Sequence, residues 1–444
     1  MKGNDILKGL SEIDESYILE AAPKKNNGKK PILIRWVSLA AALCLVVGIV
    51  LYRGNMVIPV QATDLMNGVL PNAVDTVPLD TGKTAVTDFA VRLMQQCNQT
   101  GENTMISPIS VLYALAMTAN GAEGETLTQM ETVLGMPLEA LNGWLYTFRN
   151  TVDKDQMKLA NSIWFTDDSR FQVNRNFLQT NADYYDAGVY QSEFSSTTLT
   201  DMNNWVKGHT DGMIPKILER IDKNDVMYLI NAICFDAKWA TPYKEKQVHE
   251  GTFTRENGSR MTVDFLYSSE SYYLEDSLSR GFVKPYQGGR YAFVAMLPNE
   301  GVTVDEYLAG ITGATIQNIL TSKKKMTVNV GIPKFESDFS LEMSDVLSEM
   351  GMENAFDPDS ANFTGLGTMT DGNLSIGLVI HKTYISLDEQ GTKAAASTVV
   401  GVTYTTAGPI VQQSVILDRP FVYMIVDQAT GIPVFIGTMM SPGK

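Results

Sequence analysis

The 444-residue chain is 44% hydrophobic and 19% charged, which indicates a globular protein with a sizeable core, built as one large domain or two to three ordinary ones. Its net charge is −15, and residues 1–35 carry seven Lys/Arg against five Asp/Glu, so residues 36–444 bear −17. A body this acidic repels phosphate backbones and heparin-like polyanions, so neither nucleic acid nor heparin is an expected partner.

The first predicted element is apolar. Trp36–Tyr52 reads WVSLAAALCLVVGIVLY without a charge, and Ile32–Ile34 extend it beyond Arg35. That length is near the lower limit for a bilayer-spanning helix. Lys24, Lys25, Lys29, Lys30 and Arg35 precede it and only Arg53 follows. The positive-inside rule then predicts residues 1–31 as a cytoplasmic segment and 32–52 as a signal anchor. Residues 53–82 read as a flexible tether, and 83–444 as a domain held outside the cell membrane by a single pass. A cut after Val60-Gln61-Ala62 would instead secrete the domain. Leu43 before Cys44 argues against a lipoprotein signal. The basic-flanked anchor has a bacterial, Gram-positive look.

From Thr84 the pattern is dense. Asp88–Cys97 has helical spacing. Ser107 or Pro108 opens a second helix with interior Val111–Ala119, stopped at Gly121 and Gly124. Glu125–Leu134 follows, and residues 136–157 read as a short connection whose two bases, Arg149 and Lys154, are too few for a heparin site. Strand-like runs are Lys158–Phe165, Met227–Ala237, Tyr291–Leu297, Lys325–Val330, Leu374–Leu387, Val411–Leu417, Phe421–Asp427 and Val434–Met439. Helical patterns recur at Thr200–His209, Val304–Leu320 and Ser340–Met350. This irregular mixture predicts an α+β fold with extensive antiparallel pairing. Cys97 and Cys234 are expected to be separate buried thiols.

Little in the chain speaks for catalysis. The three histidines, His209, His249 and His381, lie in no H-E-x-x-H or C-x-x-C context, so no metal site is expected. There is no G-x-S-x-G elbow and no phosphate loop, and no cofactor is expected. An enzyme is the disfavoured reading, kept open because a Ser/His/Asp triad can be dispersed. A surface adhesion scaffold is a third class.

Several blocks share an order. They include Asn103–Ser110 with ALAM at Ala114–Met117, GAEGETLTQM (Gly121–Met130), NSIWF (Asn161–Phe165) and NNWV (Asn203–Val206). LINAICFDAKW (Leu229–Trp239), KPY (Lys284–Tyr286), MLP (Met296–Pro298) and IPKF (Ile332–Phe335) follow. Then come MGM…AF (Met350–Phe356), ANFTG (Ala361–Gly365), HK (His381–Lys382) and RPFVYMIVDQATGIPVFIGTMMSPGK at the end. Together they resemble the serpins over residues 83–444. The resemblance implies a large central, mostly antiparallel sheet, two smaller sheets, eight to nine helices and an exposed reactive loop. It also implies a monomer that inhibits a serine protease as a suicide substrate: the protease cuts the loop, the loop enters the central sheet as an added strand, and the acyl-enzyme is trapped. A non-inhibitory serpin, serving as substrate or surface binding module, is the alternative.

By that resemblance Glu389-Gln390-Gly391-Thr392 is the hinge of the loop. As a strand, the segment would place Thr392, Ala394, Ala396, Thr398, Val400 and Val402 on one face, and Lys393, Ala395, Ser397, Val399, Gly401 and Thr403 on the other. The first set is uncharged and can face a core, whereas an unpaired Lys393 cannot. Pro409 falls beyond the inserting part. Ser107, Ser110, Asn231 and His381 match the serpin shutter, and Trp239, Lys334 and Glu389 match the breach, with an expected Lys334–Glu389 pair. Family spacing puts the scissile bond at Thr405–Thr406, with Val402, Tyr404 and Ala407 as alternatives because the stretch to Arg419 is some four residues longer than usual. None is basic. A trypsin-like pocket is therefore disfavoured, and elastase- or subtilisin-like proteases are the expected targets.

Overall fold

Met227–Phe235 shows how the sequence builds the centre of the molecule. Its odd positions, Met227, Leu229, Ile233 and Phe235, enter one apolar core, while Tyr228, Ile230 and Ala232 enter a second on the opposite face. Period-two alternation with both faces apolar makes a strand buried on both sides. The computed structural model describes residues 60–169, 171–222, 225–370, 373–392 and 413–443. Their strands form sheets of eight, nine and two strands, giving the expected α+β serpin architecture.

The eight-stranded sheet contains β1 (Thr63–Asp64), β2 (Met157–Thr166), β3 (Gly188–Ser192), β4 (Met227–Phe235), β5 (Ala237–Lys238), β6 (Phe335–Glu342), β7 (Leu378–Leu387) and β8 (Gly391–Thr392). Across the sheet the order is β1-β3-β2-β4-β7, with β6 along the far edge of β7. β4 and β7 run parallel and share five residue pairs, from Leu378↔Tyr228 to Lys382↔Ala232. Above them β7 has no ladder partner on that edge until β8, where Leu387 faces Thr392.

Helix α1 (Lys83–Cys97) and helix α2 (Pro108–Ala119) lie in the main core, with every residue of α2 buried. Ser107 caps α2, and Pro108 occupies its first turn, where a missing N–H costs nothing. Helix α3 (Leu138–Thr151) buries Leu138, Leu141, Leu145 and Phe148. Helix α4 (Ser196–His209) packs Met202, Trp205 and Val206 on the second core, against β2, β4 and Ile380 of β7. The nine-stranded sheet is organised by one long strand, Arg260–Glu275, and includes the fully buried pair Phe421–Asp427 and Ile432–Met439, beyond which Thr104–Ile106 forms the last strand.

Several expectations are corrected. Residues 136–157 are not a short connection: α3 fills 14 of them, because Leu138, Leu141, Leu145 and Phe148 recur on one helical face. The Val304–Leu320 pattern is two helices, Val304–Gly310 and Gly313–Thr321, since Thr312 caps the second. Ser340–Met350 begins as strand within β6 before the helix Ser344–Leu347. Cys97 and Cys234 are separate and buried, as expected.

The N-terminal expectations change most. Residues 60–82 are packed on the body rather than free: β1 pairs with β3, and the Gln61 and Ala62 amides donate to the buried Asp201 carboxylate at 2.8 and 3.1 Å. The anchor 32–52 lies outside the described residues. Among the described residues no helix is long and apolar enough to cross a membrane. The expected single-pass localisation in the cell membrane is therefore withdrawn.

Leu145 is fully buried in the main core. Leu145→Ala should lower stability by about 2–5 kcal/mol, read as a lower urea midpoint, whereas a surface connection would tolerate the change within about 0.5 kcal/mol.

Candidate functional site

Two groups of residues lie along the line where β4 meets β7. The lower group is a polar row. Asn161 of β2, Asn231 of β4 and His381 of β7 stand level, because Asn161 pairs with Asn231 and Asn231 with His381. All three occupy odd positions on the main-core side, under the N-terminus of α2.

The hydrogen bonds close on themselves. The Ser107 backbone N–H donates to His381 Nε2 at 2.9 Å, so the proton of the neutral ring sits on Nδ1, which lies 3.2 Å from Asn231 Oδ1 and donates to it. The same oxygen accepts from the Ser110 hydroxyl. The Asn231 amide donates to Ser110 O at 2.6 Å and to Asn161 Oδ1 at 2.5 Å. Ser107 Oγ donates to Val434 O at 2.8 Å. Full burial pushes the His381 pKa down to about 3. A second proton, on Nε2, would also face the Ser107 N–H donor.

The upper group surrounds the hinge. Asp388 Oδ1 accepts the amides of Gln390 and Gly391 at 2.7 and 3.1 Å, and this turns the chain from β7 back into β8. β8 is paired on both sides: Thr392 with Leu387, and Gly391 and Thr392 with Lys238 and Ala237 of β5. A Cβ on Gly391 would come within 2.1 Å of Ala237 O, so only glycine fits this approach. Thr392 is fully buried, as its predicted face requires, and its hydroxyl is 2.6 Å from Tyr286 Oη.

Trp239 ties these parts together. Its backbone N–H donates to Gln390 O at 2.8 Å, its indole N–H donates to Asp388 O at 2.9 Å, and its ring stacks on Tyr286 at 4.5 Å. The Lys334–Glu389 pair forms at 2.8 Å with both side chains about one-third exposed. Partial burial is the largest single influence on Glu389 and opposes its ionisation, but the Lys334 hydrogen bond, a backbone hydrogen bond and the Lys334 charge together outweigh it and hold the carboxyl below its usual value. Below Trp239, the ammonium of Lys284 lies 5.2 Å from its ring and 4.3 Å from that of Tyr243, neutralised by Glu270 at 2.8 Å.

The structure thus brings together Ser107, Ser110, Asn231 and His381, and separately Trp239, Lys334, Glu389, Gly391 and Thr392. Ala394, Ala395, Ala396 and Thr398, and the bond candidates Val402, Tyr404, Thr405, Thr406 and Ala407, lie outside the described residues. The sequence reading missed roles for Asn161, Tyr286 and Lys284, although each belongs to a block it had noted.

Comparison with known proteins agrees with this geometry. Residues 84–442 match the family model described as serpin, serine protease inhibitor. The chain belongs to the serpin family. It is similar to tengpin, a thermophilic serpin, in its native state, with 44% identity and a TM-score of 0.83 over 86% of this chain and 100% of tengpin's. Against the latent state of tengpin the TM-score is 0.73, with 42% identity over 84% of this chain and 100% of the other. Among curated relatives, the leukocyte elastase inhibitor of Equus caballus is 26% identical over 81% of this chain and 99% of its own. The fold of this serpin is thus nearer the native than the latent form of tengpin.

The neutral His381 makes a pH prediction. Its folded pKa, about 3, lies below the ordinary value of 6.5, so the unfolded chain binds the extra proton between those limits. Its contribution is complete above pH 6.5 and is lost as pH falls towards 3, at up to about 1.4 kcal/mol per pH unit. Unfolding midpoints measured from pH 7 to pH 4 should fall more steeply for the wild type than for His381→Gln, and equal slopes would refute the assignment.

Proposed function

We propose that this serpin inhibits elastase- or subtilisin-like serine proteases as a suicide substrate, and is not itself an enzyme. The supporting observation is that β8 already forms the first rung of an added strand. It is antiparallel to both β5 and β7 and sits at the top of the edge where β4 and β7 are unpaired. A relative carrying the name leukocyte elastase inhibitor agrees with the protease class.

The registers dictate the sequence of events. Continuing β8 downward would set Lys393 opposite Ser386 on β7, and Ala394, Ala395 and Ala396 opposite Ile385, Tyr384 and Thr383. On the other side the same residues would face Asp236, Phe235, Cys234 and Ile233. Four residues therefore fit before any existing pair is disturbed. The fifth, Ser397, reaches the level of Lys382↔Ala232, the uppermost pair joining β4 to β7. Thr398 then comes level with Asn231 and His381. In this mechanism the hinge is Glu389 to Thr398, Trp239, Lys334 and Glu389 form the breach, and Ser107, Ser110, Asn231 and His381 form the shutter.

Insertion is possible only once one end of the loop is free. Cleavage within Val402–Ala407, with Thr405–Thr406 as the expected bond, leaves the protease esterified to the released end. Each newly buried CH₂ adds ~0.8 kcal/mol, and the ladder pairs backbone on both edges. Insertion that outruns deacylation carries the acyl-enzyme away with its catalytic geometry disrupted.

Incubation with pancreatic elastase or subtilisin should give an SDS-stable complex, with a released C-terminal peptide beginning between Thr403 and Gly408 by mass spectrometry. Only cleaved serpin, at any ratio, would indicate the non-inhibitory alternative. A second test uses the predicted faces. Ala394→Arg, pointing inward, should convert the inhibitor to a substrate, whereas Ala395→Arg, pointing outward, should leave complex formation within about twofold, since solvated surface changes cost little. Equal loss in both variants would rule out this register.

A further inference from the structure

Three consecutive carbonyls of the hinge turn are held by only two residues. Trp239 takes those of Asp388 and Gln390, through its indole and backbone N–H groups, and the Tyr243 backbone N–H donates to Glu389 O at 2.8 Å. The rings of Trp239 and Tyr243 meet edge to face at 6.5 Å. Both also lie against one cation, the Lys284 ammonium, 4.3 Å from the Tyr243 ring and 5.2 Å from that of Trp239.

The cation comes from the other large sheet. Lys284 stands on the strand Ser279–Pro285, and its partner Glu270 on the long strand Arg260–Glu275. Their side chains are 3% and 10% exposed and 2.8 Å apart. The Ser268 hydroxyl donates to Glu270 Oε1 at 2.6 Å and lies 3.3 Å from Tyr243 Oη, so the acid, the serine and the tyrosine form one set around the ammonium. A buried pair of this kind is weak evidence for stability: replacing both charges by uncharged side chains of similar volume is often neutral or stabilising, whereas removing one partner is costly. Burial depresses the Lys284 pKa, with Glu270 acting against it, the mark of a charge whose desolvation is not fully repaid. What the pair supplies is direction. An ammonium is drawn to the faces of two rings at once, while a flexible apolar side chain packs on them without a fixed place.

We propose that Lys284, held by Glu270, is a positioning residue for the hinge: it fixes Trp239 and Tyr243 so that their N–H groups hold the turn Asp388–Gln390, and its contribution is placement of that turn rather than stability of the fold. The turn in turn sets β8. Under the inhibitory reading, on which this second step rests, a loosened turn delays insertion and lets more acyl-enzyme hydrolyse.

The test uses the intact protein and the variant Lys284→Met/Glu270→Gln, which removes both charges at nearly constant volume and leaves Ser268 an acceptor. Its urea midpoint should equal or exceed that of the wild type, whereas Lys284→Met alone should fall, because Glu270 is left buried and unpaired. Hydrogen exchange of the Trp239 and Tyr243 amides in the double variant should quicken at least tenfold, with that of Leu229–Ile233 in β4 unchanged. Unchanged exchange at Trp239 and Tyr243, equal acceleration throughout β4, or a double variant as destabilised as the single one would overturn the positioning role. Exchange needs no protease, so this arm stands or falls apart from the protease reading. With elastase or subtilisin, the double variant should give at least threefold more cleaved serpin per SDS-stable complex than the wild type. An unchanged ratio in a serpin that does trap protease would overturn the coupling to insertion. A wild type that forms no complex would overturn the inhibitory reading and this coupling with it, but not the positioning role.

Discussion

The five-pair parallel ladder between β4 and β7 is the constraint around which the body is arranged. Parallel strands cannot be joined by a tight turn, so β4 and β7 come from segments some 150 residues apart and are held together by what covers them. On one face α4 lies across β2, β4 and Ile380 of β7. On the other, α2 delivers Ser107 and Ser110 to the same junction. At net values of about 0.5–1.5 kcal/mol per hydrogen bond, so short a ladder is a modest barrier by itself. The side chains that bridge it therefore weigh heavily in whether the sheet stays shut.

The polar row meets this requirement in a way an apolar one could not. Asn231 uses its amide oxygen twice and its amide nitrogen twice. A buried group so fully engaged resists small displacements, because losing one partner exposes the full cost of desolvation. Hydrogen bonds are nevertheless exchangeable. An arriving hydroxyl such as that of Thr398 can replace lost contacts, whereas a methyl cannot. The row can hold the sheet shut and still be compatible with a second arrangement.

Much of this was legible in the sequence, and what was missed has a definite cause. Single residues in well-marked blocks were readable as candidates: His381, Asn231, Ser107 and Ser110 share one hydrogen-bonded row, and Lys334 pairs with Glu389. Asn161 and Tyr286 were not, because their roles arise from strand register and from contact between two sheets. Asn161 matters only through standing level with Asn231, a relation between positions 70 residues apart. Helix α3 was not read from residues 136–157, although Leu138, Leu141, Leu145 and Phe148 mark one buried helical face. The packing of residues 60–82 was hidden for another reason: their composition is that of a linker, and the buried Asp201 that receives them is far away in sequence.

The register of any inserted strand is decided at its first rung. A slip of one residue would turn every side chain to the other face and drive Lys393 into the core. Three features oppose that slip. Asp388 binds the amides of Gln390 and Gly391 and fixes the length of the turn. Ala237 O approaches position 391 so closely that any residue with a Cβ is excluded, so neither Gln390 nor Thr392 can take its place. Tyr286 then holds the Thr392 hydroxyl on the core side. Each contact is local and modest, yet together they leave one alignment for everything that follows, which is why the residues beyond can be small and unspecific. In the proposed insertion the hinge would carry the register, and the alanines that come after it would need only to be narrow enough to enter.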